Sequence, residues 1–435
     1  MTHGACDAQK ERSRRIAILT YGTRGDVEPF VALGVGLSAA GHTVRLAAPA
    51  PFAALARGRG LEFAPLAGDP SGLAASLADR AGLRWSGMVA AMVRHVLPIA
   101  RSVYRGASAA VRNADLVVHS LLMTDTGHTL ARALGVPDVS AQFFPMFLPT
   151  RAFAAVAAPH LELGGVYRRL THHVSTAIFR YGSRLLYSRL RSAAPELPPL
   201  APWPFAGPRT GRTPILFAYD RALLPRPADW PSYAHVTGYW RMPPEPSWSP
   251  PRELSRFQES GSPPIYFGLG SVRGESMEGL IRMVIEAIHD SGQRLLLGTP
   301  SRRWSGRLEP SSMMSIESVP HAWLFPRMGY ILHHGGAGTT GAAAAAGVPN
   351  SALPFSADQA FWARQITRQG LGPKGAAARQ ITPDRLQSMI HEAMANPTYR
   401  LRAADIAAQI RQTDGISRAI EVIEDRLPIN PAEVS

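Results

Sequence analysis

Cysteine is almost missing from this 435-residue chain: Cys6 stands alone, so a disulfide within the chain is impossible and a cysteine-built metal site is excluded. Acidic residues are also scarce, 32 against 46 basic ones, which leaves a formal charge of +14. The basic residues are mostly arginine and are scattered. No aromatic-interleaved basic stripe and no known nucleic-acid module accompanies them, so the charge speaks for anionic ligands or plain solubility and against nucleic acid. No stretch of about eighteen uninterrupted apolar residues occurs, which excludes a membrane-spanning helix by sequence. The leader, residues 1–14, carries charge, and the apolar run after it is too short for a secretory signal. A reducing, cytoplasmic setting is expected, with peripheral contact between the basic surface and a membrane as the one exception to weigh.

What is present is an ordinary globular composition, 46% hydrophobic and 18% charged, in a chain longer than one hydrophobic core usually supports. Short apolar runs alternate with helical patterns. RIAILTY (Arg15 to Tyr21), TVRLAAP, LEFAPL, ADLVVHS and PDVSAQFF read as buried strands. A helix is expected from about Pro29 to Gly41, another ends at Gly135, and Leu148 to Arg191 is helical in pattern. PILFAYD and AHVTGYW follow, then the proline cluster MPPEPSWSPP. The alternation restarts with PPIYFGLGS, QRLLLGT, MSIESV, GYILHH and NSALPF, and a helical tail runs from Pro383 to about Leu427. Strand, helix, strand at these spacings means crossover connections and parallel sheets. The expectation is two doubly wound, Rossmann-like α/β domains facing a cleft: 15–241, a Pro-rich linker 242–262, 263–412, and a C-terminal helix and tail 413–435 that packs back on the first domain.

In such sheets ligands bind beyond the carboxyl ends of the strands. Three polar turns fall there: GTRGDVEP (Gly22 to Pro29), GLGSVRGES (Gly268 to Ser276) and HHGGAGTT (His333 to Thr340). In the last, glycines let backbone N–H groups approach a ligand, a helix N-terminus carries partial positive charge, and Thr339 and Thr340 add hydroxyls; together they suit a diphosphate, with His334 as a further donor. A metal reading of the histidine pair is weaker, because neighbours on a strand point to opposite faces and no third ligand is close in sequence. A plain structural turn, with threonine as helix cap and alanine for close packing, competes with the anion site. Ser271 reads either as a phosphate contact or as an ordinary helix-entry serine. The glycines of its turn miss the dinucleotide fingerprint, Gly274 falling one residue late, which disfavours a nicotinamide-dependent oxidoreductase. Asp26 reads as a helix N-cap, yet a carboxylate at a strand end in a cleft can also serve as a general base.

Taken together, YGTRGDVEPFVALGVGLSAAGHTV, FGLGS, VPHAWLFPRM, HHGGAGTTGAAAAAGVP and PFSADQAFWARQI resemble the inverting family 1 glycosyltransferases of the GT-B fold, in particular the bacterial branch with glycopeptide-antibiotic and sterol-type glucosyltransferases. The resemblance covers nearly the whole chain after the leader. It implies Asp26 as general base; His334, Gly336, Gly338, Thr339 and Ser271 at the donor diphosphate; Val319 at the nucleotide base; and Asp358 and Gln359 at the donor sugar. The co-substrate would be a UDP- or dTDP-linked sugar, with no cofactor and no metal, in keeping with the lack of an Asp-x-Asp motif. The acceptor would be a lipophilic hydroxylated molecule, with Met88, Met92, Phe143, Phe144, Met146 and Phe147 as candidates for its apolar pocket. Two positions depart from the family pattern: Ala322, where sterol-type relatives place Asp, and Asn350, where a small or apolar residue is usual. A catalytically silent accessory protein is the rival reading, and the retained Asp26, His334 and Asp358–Gln359 argue against it.

Overall fold

A computed structural model describes residues 13–69, 98–194, 196–206, 212–242, 245, 248–270, 276–299, 311–317 and 319–427. Two all-parallel sheets organise them. The first has seven strands: β1 (Arg15–Leu19), β2 (Thr43–Pro49), β3 (Glu62–Leu66), β4 (Leu116–Ser120), β5 (Asp138–Gln142), β6 (Ile215–Phe217) and β7 (Ala234–Val236), in the order β3-β2-β1-β4-β5-β6-β7. The second has five: β8 (Ile265–Gly268), β9 (Leu295–Gly298), β10 (Met313–Ile316), β11 (Tyr330–His333) and β12 (Asn350–Ala352), in the order β10-β9-β8-β11-β12. Helices cover both faces, which is why the central strands are apolar throughout: Ile16, Ile18, Leu19, Val117, Val118, Leu295 and Leu332 are all buried.

In each sheet the strand order reverses once, between β1 and β4 and between β8 and β11. Chains leaving adjacent strands there diverge to opposite faces and open a crevice. The turns after β1, β8 and β11 are three of those that flank these two crevices.

Aromatic and aliphatic side chains from both halves share one core cluster, in which Phe147, Phe153, Phe217, Tyr219 and Trp230 pack with Ala344, Phe361, Trp362 and Ile406. Tyr219 meets Trp362 edge-on at 5.5 Å, and Phe153 meets Phe361 at 5.6 Å. Gly341 admits the Tyr239 ring, since a Cβ there would lie 2.3 Å from it. The C-terminal helix Gly415–Glu424 lies on the first half, with Ile423 and Ala419 in the core around β1 and a 3.1 Å contact between Glu424 and His42.

Several expectations change in three dimensions. The first long helix starts at Arg24 rather than near Pro29 and carries Pro29 inside it. The residue four before that proline is Gly25, whose position a Cβ would find empty, so the crowding a proline causes upstream is mild there. The helical pattern expected from Leu148 begins only at Gly164 and runs to Ala193. Residues before it are held irregular by side chains that bind backbone, such as Asp229 accepting from the Thr150 hydroxyl at 2.7 Å and the Arg151 N–H at 2.9 Å. The stretch read as linker contains the helix Arg252–Glu259, whose Leu254 and Phe257 pack on Tyr266 and Phe325 of the second half. No helix among the described residues is long and apolar enough to cross a membrane.

Candidate active site

The turn after β1 is built around Asp26. Thr23, not Asp26, is the N-cap; Asp26 is the third helical residue and reaches back, accepting from the Thr23 N–H at 2.8 Å and the Thr23 hydroxyl at 3.1 Å. Both bonds end on Oδ2, and among the described residues Oδ1 receives none. Gly22 has φ +147, and a Cβ there would lie 2.3 Å from Asp26 Oδ2, so only glycine lets the backbone pass so close to the carboxylate. Burial raises the Asp26 pKa to about 6; the two Thr23 donors oppose that, and the charge of Asp358 adds to it.

That last influence comes from the other half of the molecule. Asp358 and Gln359 lie in the first turn of the helix Ala357–Arg368, after the N-cap Ser356. Gln359 Oε1 accepts from the Phe355 N–H at 2.8 Å, and the Ser356 hydroxyl donates to Asp358 at 2.5 Å. The Asp358 carboxyl is also raised by burial, against the Ser356 hydroxyl and nearby N–H groups. A second influence across the cleft joins Arg24 to His321, whose pKa is lowered to about 4, mainly by burial and further by that guanidinium. The turn after β1 therefore faces two turns of the second half.

HHGGAGTT supplies the floor of the cleft. Gly336 is the N-cap of the helix Ala337–Ala346, whose first turn holds Gly338 and Thr339. Gly335 adopts φ +91 and turns tightly against the Gln359 carbonyl, 2.8 Å from where its Cβ would be. The His334 ring sits between two glycines: a Cβ on Gly270 would come within 2.6 Å of it and one on Gly336 within 2.4 Å. Burial holds His334 near a pKa of about 4, partly offset by the Gly268 backbone, so its imidazole is neutral at pH 7 and can donate one hydrogen bond without bringing a charge. A Cβ on Gly338 would meet nothing, which leaves open space in front of this helix end.

His333 has a different task. Its ring is fully buried, and Nδ1 accepts the Gly335 N–H at 3.0 Å, fixing the turn and placing the proton on Nε2. The neighbouring strand brings the buried Asn350 towards that nitrogen; Asn350 Nδ2 donates to the Val348 carbonyl at 3.1 Å. A polar residue at 350 thus lies beside a buried imidazole on the next strand, although among the described residues neither His333 Nε2 nor Asn350 Oδ1 makes a hydrogen bond. Ala322 is exposed within the short helix His321–Leu324, which starts after Pro320 without a side-chain cap.

The remaining sequence candidates separate. Val319 is half-buried beside Trp323 and Leu324. Ser271, Met88 and Met92 lie outside the described residues. Phe143 is half-buried against the core, edge-on to Phe30 at 5.3 Å and to Trp240 at 6.4 Å. Phe147 is buried and stacked on Phe205, and Phe144 and Met146 pack against the same cluster. None of these four lines a cavity of about 120 Å³ that opens to solvent in the first half. Its walls come from Tyr21, Ile99, Tyr104, Asp125, Phe179 and Tyr187, among others. The signal for it was in the sequence as a helical stripe, Phe179, Ser183, Leu186, Tyr187 and Leu190, on one side of a long arginine-rich helix. Among the described residues no group of three His, Cys, Asp or Glu could hold a metal ion.

Comparisons with known proteins agree with this architecture. Residues 16–107 match the glycosyltransferase family 28 N-terminal domain, and residues 299–418 match the erythromycin biosynthesis protein CIII-like C-terminal domain. The chain is 33% identical to O-mycaminosyltylonolide 6-deoxyallosyltransferase of Streptomyces fradiae, over 94% of this chain and 97% of that protein. It is 32% identical to a sterol 3-beta-glucosyltransferase of Aspergillus fumigatus over 94% of its own length, and spans only 30% of that longer protein. The solved structure of the glycosyltransferase VinC in complex with dTDP superposes with a TM-score of 0.65 at 20% identity, covering 95% of this chain and 100% of VinC. Sequence identity over the full length and the two facing Rossmann-like sheets lead to one conclusion: the chain belongs to the GT-B glycosyltransferase family that includes the sterol glucosyltransferases and the antibiotic-type glycosyltransferases.

Proposed function

We propose that the chain moves a hexose or deoxyhexose from a UDP- or dTDP-linked donor to a hydroxyl of a lipophilic small molecule, such as a secondary metabolite, antibiotic aglycone or sterol, with inversion at the anomeric carbon. The observation that carries this reading is the confrontation of Asp26 with Asp358 across the cleft, beside a glycine-rich helix N-terminus. The donor diphosphate lies against the N–H groups of Gly338 and Thr339, with His334 donating. Val319 addresses the nucleotide base, and Asp358 and Gln359 take hydroxyls of the sugar.

Asp26 Oδ1 accepts the proton of the acceptor hydroxyl as that oxygen forms its bond to the anomeric carbon. The bond from that carbon to the diphosphate breaks on the opposite side, and the electron pair leaves with the nucleoside diphosphate. Its negative charge grows where backbone N–H groups and the helix end are already oriented, so stabilisation needs no rearrangement at the moment of transfer. The complex of VinC with dTDP supports a nucleoside diphosphate as the donor's leaving part, and the Streptomyces relative supports an acceptor of antibiotic type.

Access to a lipophilic acceptor fits the outer face of the helix Gly164–Ala193. Val166, Leu170, Val174, Tyr181 and Leu185 are exposed there, with exposed arginines 169, 180, 184 and 189 beside them. That combination suits reversible contact with an anionic membrane surface; salt-insensitive liposome association, or none at all, would speak against it. The decisive experiment for the activity is incubation with a panel of nucleotide sugars and candidate aglycones, followed by mass spectrometry. A glycosyl adduct with release of nucleoside diphosphate is expected. No adduct and no release in any combination overturns the reading.

A further inference from the structure

The cavity in the first half is apolar over most of its wall, yet among the described residues two of its buried polar atoms have no hydrogen-bond partner. The Tyr104 hydroxyl is buried, with the residue only 4% exposed, and Asp125 Oδ2 is buried as well; among the described residues neither makes a hydrogen bond. Leaving such groups dry is costly, most of all for a carboxylate, so a fold keeps them where something else completes them. Three other polar groups of the wall are already engaged. Tyr187 donates to the Pro198 carbonyl at 2.9 Å, Tyr21 donates to the Ala67 carbonyl at 3.2 Å, and Ser183 donates to the Arg180 carbonyl at 3.2 Å.

The two open atoms come from different elements. Tyr104 projects from the helix Ala100–Ala110, and Asp125 from the first turn of the helix Thr124–Leu134 after β4. The apolar remainder of the wall comes from Ile99, Val103, Met123, Phe179, Leu186 and Leu190. The cavity also adjoins the reacting end of the cleft. Tyr21 lines it at the end of β1, and the next residue, Gly22, packs directly on Asp26.

We infer that this cavity receives the body of the acceptor, and that the acceptor carries, besides the hydroxyl to be glycosylated, a second hydrogen-bond donor that pairs with Asp125 Oδ2 beside the Tyr104 hydroxyl. The inference rests on the transferase reading above and narrows it: a molecule with one polar end leaves the carboxylate unmatched, whereas one with a hydroxyl or an amine at a second position completes it. Asp125 is thus a specificity-determining residue, remote from proton transfer. Its carboxyl is raised by burial against the Ser183 hydroxyl and the charges of His119, His128 and Arg180, consistent with a group that gains from a donor in the cavity.

The test is a matched pair of rigid ligands, 5α-androstane-3β,17β-diol and 5α-androstan-3β-ol, titrated into the wild type, Asp125→Leu, Asp125→Asn and Tyr104→Phe, with nucleoside diphosphate affinity and thermal melting measured alongside. The wild type should bind the diol about tenfold or more tightly than the mono-ol. Asp125→Leu should bring the pair to within about twofold, Asp125→Asn should fall between, and all variants should keep their nucleotide affinity. An amine at position 17 in place of the hydroxyl separates the two donor types, a larger preference marking a protonated amine as the better match. Binding of neither steroid, a preference that survives Asp125→Leu, or equal loss of both steroids in the variants overturns the inference. Selective binding without transfer to any acceptor would instead overturn the transferase reading, and with it the ligand's role as acceptor, while leaving the pairing of a second donor with Asp125.

Discussion

Asp26 and Asp138 are both carboxylates of the first half, shielded from water to different degrees and treated in opposite ways by their neighbours. Asp138 accepts from His119 at 2.9 Å, from His128 at 2.9 Å and from the Thr213 hydroxyl at 3.1 and 3.2 Å. Burial alone would push its carboxyl up, but the two imidazoles, as donors and as charges, outweigh it and hold the group well below the usual carboxylate range. Among the described residues Asp26 has a single partner residue, Thr23, and a like charge opposite, and it ends at about 6. The number of donors, more than burial, separates a carboxylate that ties strands and helices together from one poised to take a proton near neutrality.

The largest effect expected from this contrast is on turnover. Asp26→Asn should cut transfer by about 10²–10⁴-fold while nucleoside diphosphate affinity, read by titration calorimetry, stays within about twofold. Retained transfer would erase the distinction between the two carboxylates. Asp138→Ala is the mirror experiment: two buried imidazoles and a hydroxyl lose their acceptor, and a destabilisation of about 3–5 kcal/mol is expected in urea unfolding. Donor affinity of the molecules that remain folded should hardly change.

The two groups should also divide on pH. Asp138 has a depressed folded pKa, so its stabilisation is fully present above its unfolded value near 3.8 and drains away as pH falls below it. Asp26 has a raised one, so it costs nothing below about 3.8 and opposes folding increasingly as pH rises through about 6. Asp26→Asn should therefore be more stable than the wild type at pH 8, by about 1 kcal/mol after discounting for partial exposure. The two melting curves should converge below pH 4. The smallest effect concerns the pair across the cleft. Asp358→Asn removes a like charge and should move the Asp26 titration down by a few tenths of a unit, measurable by carboxyl carbon NMR; an unmoved titration would mean that the two turns do not sense each other.

Much of this was legible in the sequence because parallel strands buried on both faces must be apolar, and because glycines and helix caps mark the turns at their ends. The strands from Arg15 to Ala352 and the turns with Asp26, His334 and Asp358 follow from those rules. Asp26 itself was misplaced by three positions in its helix, since both Thr23 and Asp26 are good caps and only the fold decides which one reaches back. The pocket candidates could not be sorted from the sequence for a different reason. Phe143 and Phe147 are large and apolar, and nothing local distinguishes a side chain that fills a core from one that lines a cavity. The difference lies in Trp240, Phe30 and Phe205, which are distant in sequence and meet them only after folding.

The account depends most on Asp26 taking the proton, and the pH dependence of single-turnover transfer tests that directly. The wild type should lose rate below a pH of about 6, following the Asp26 carboxyl, and Asp26→Asn should show a low, flat residual rate with no such limb. A variant that keeps both the rate and the limb would assign the proton to another group.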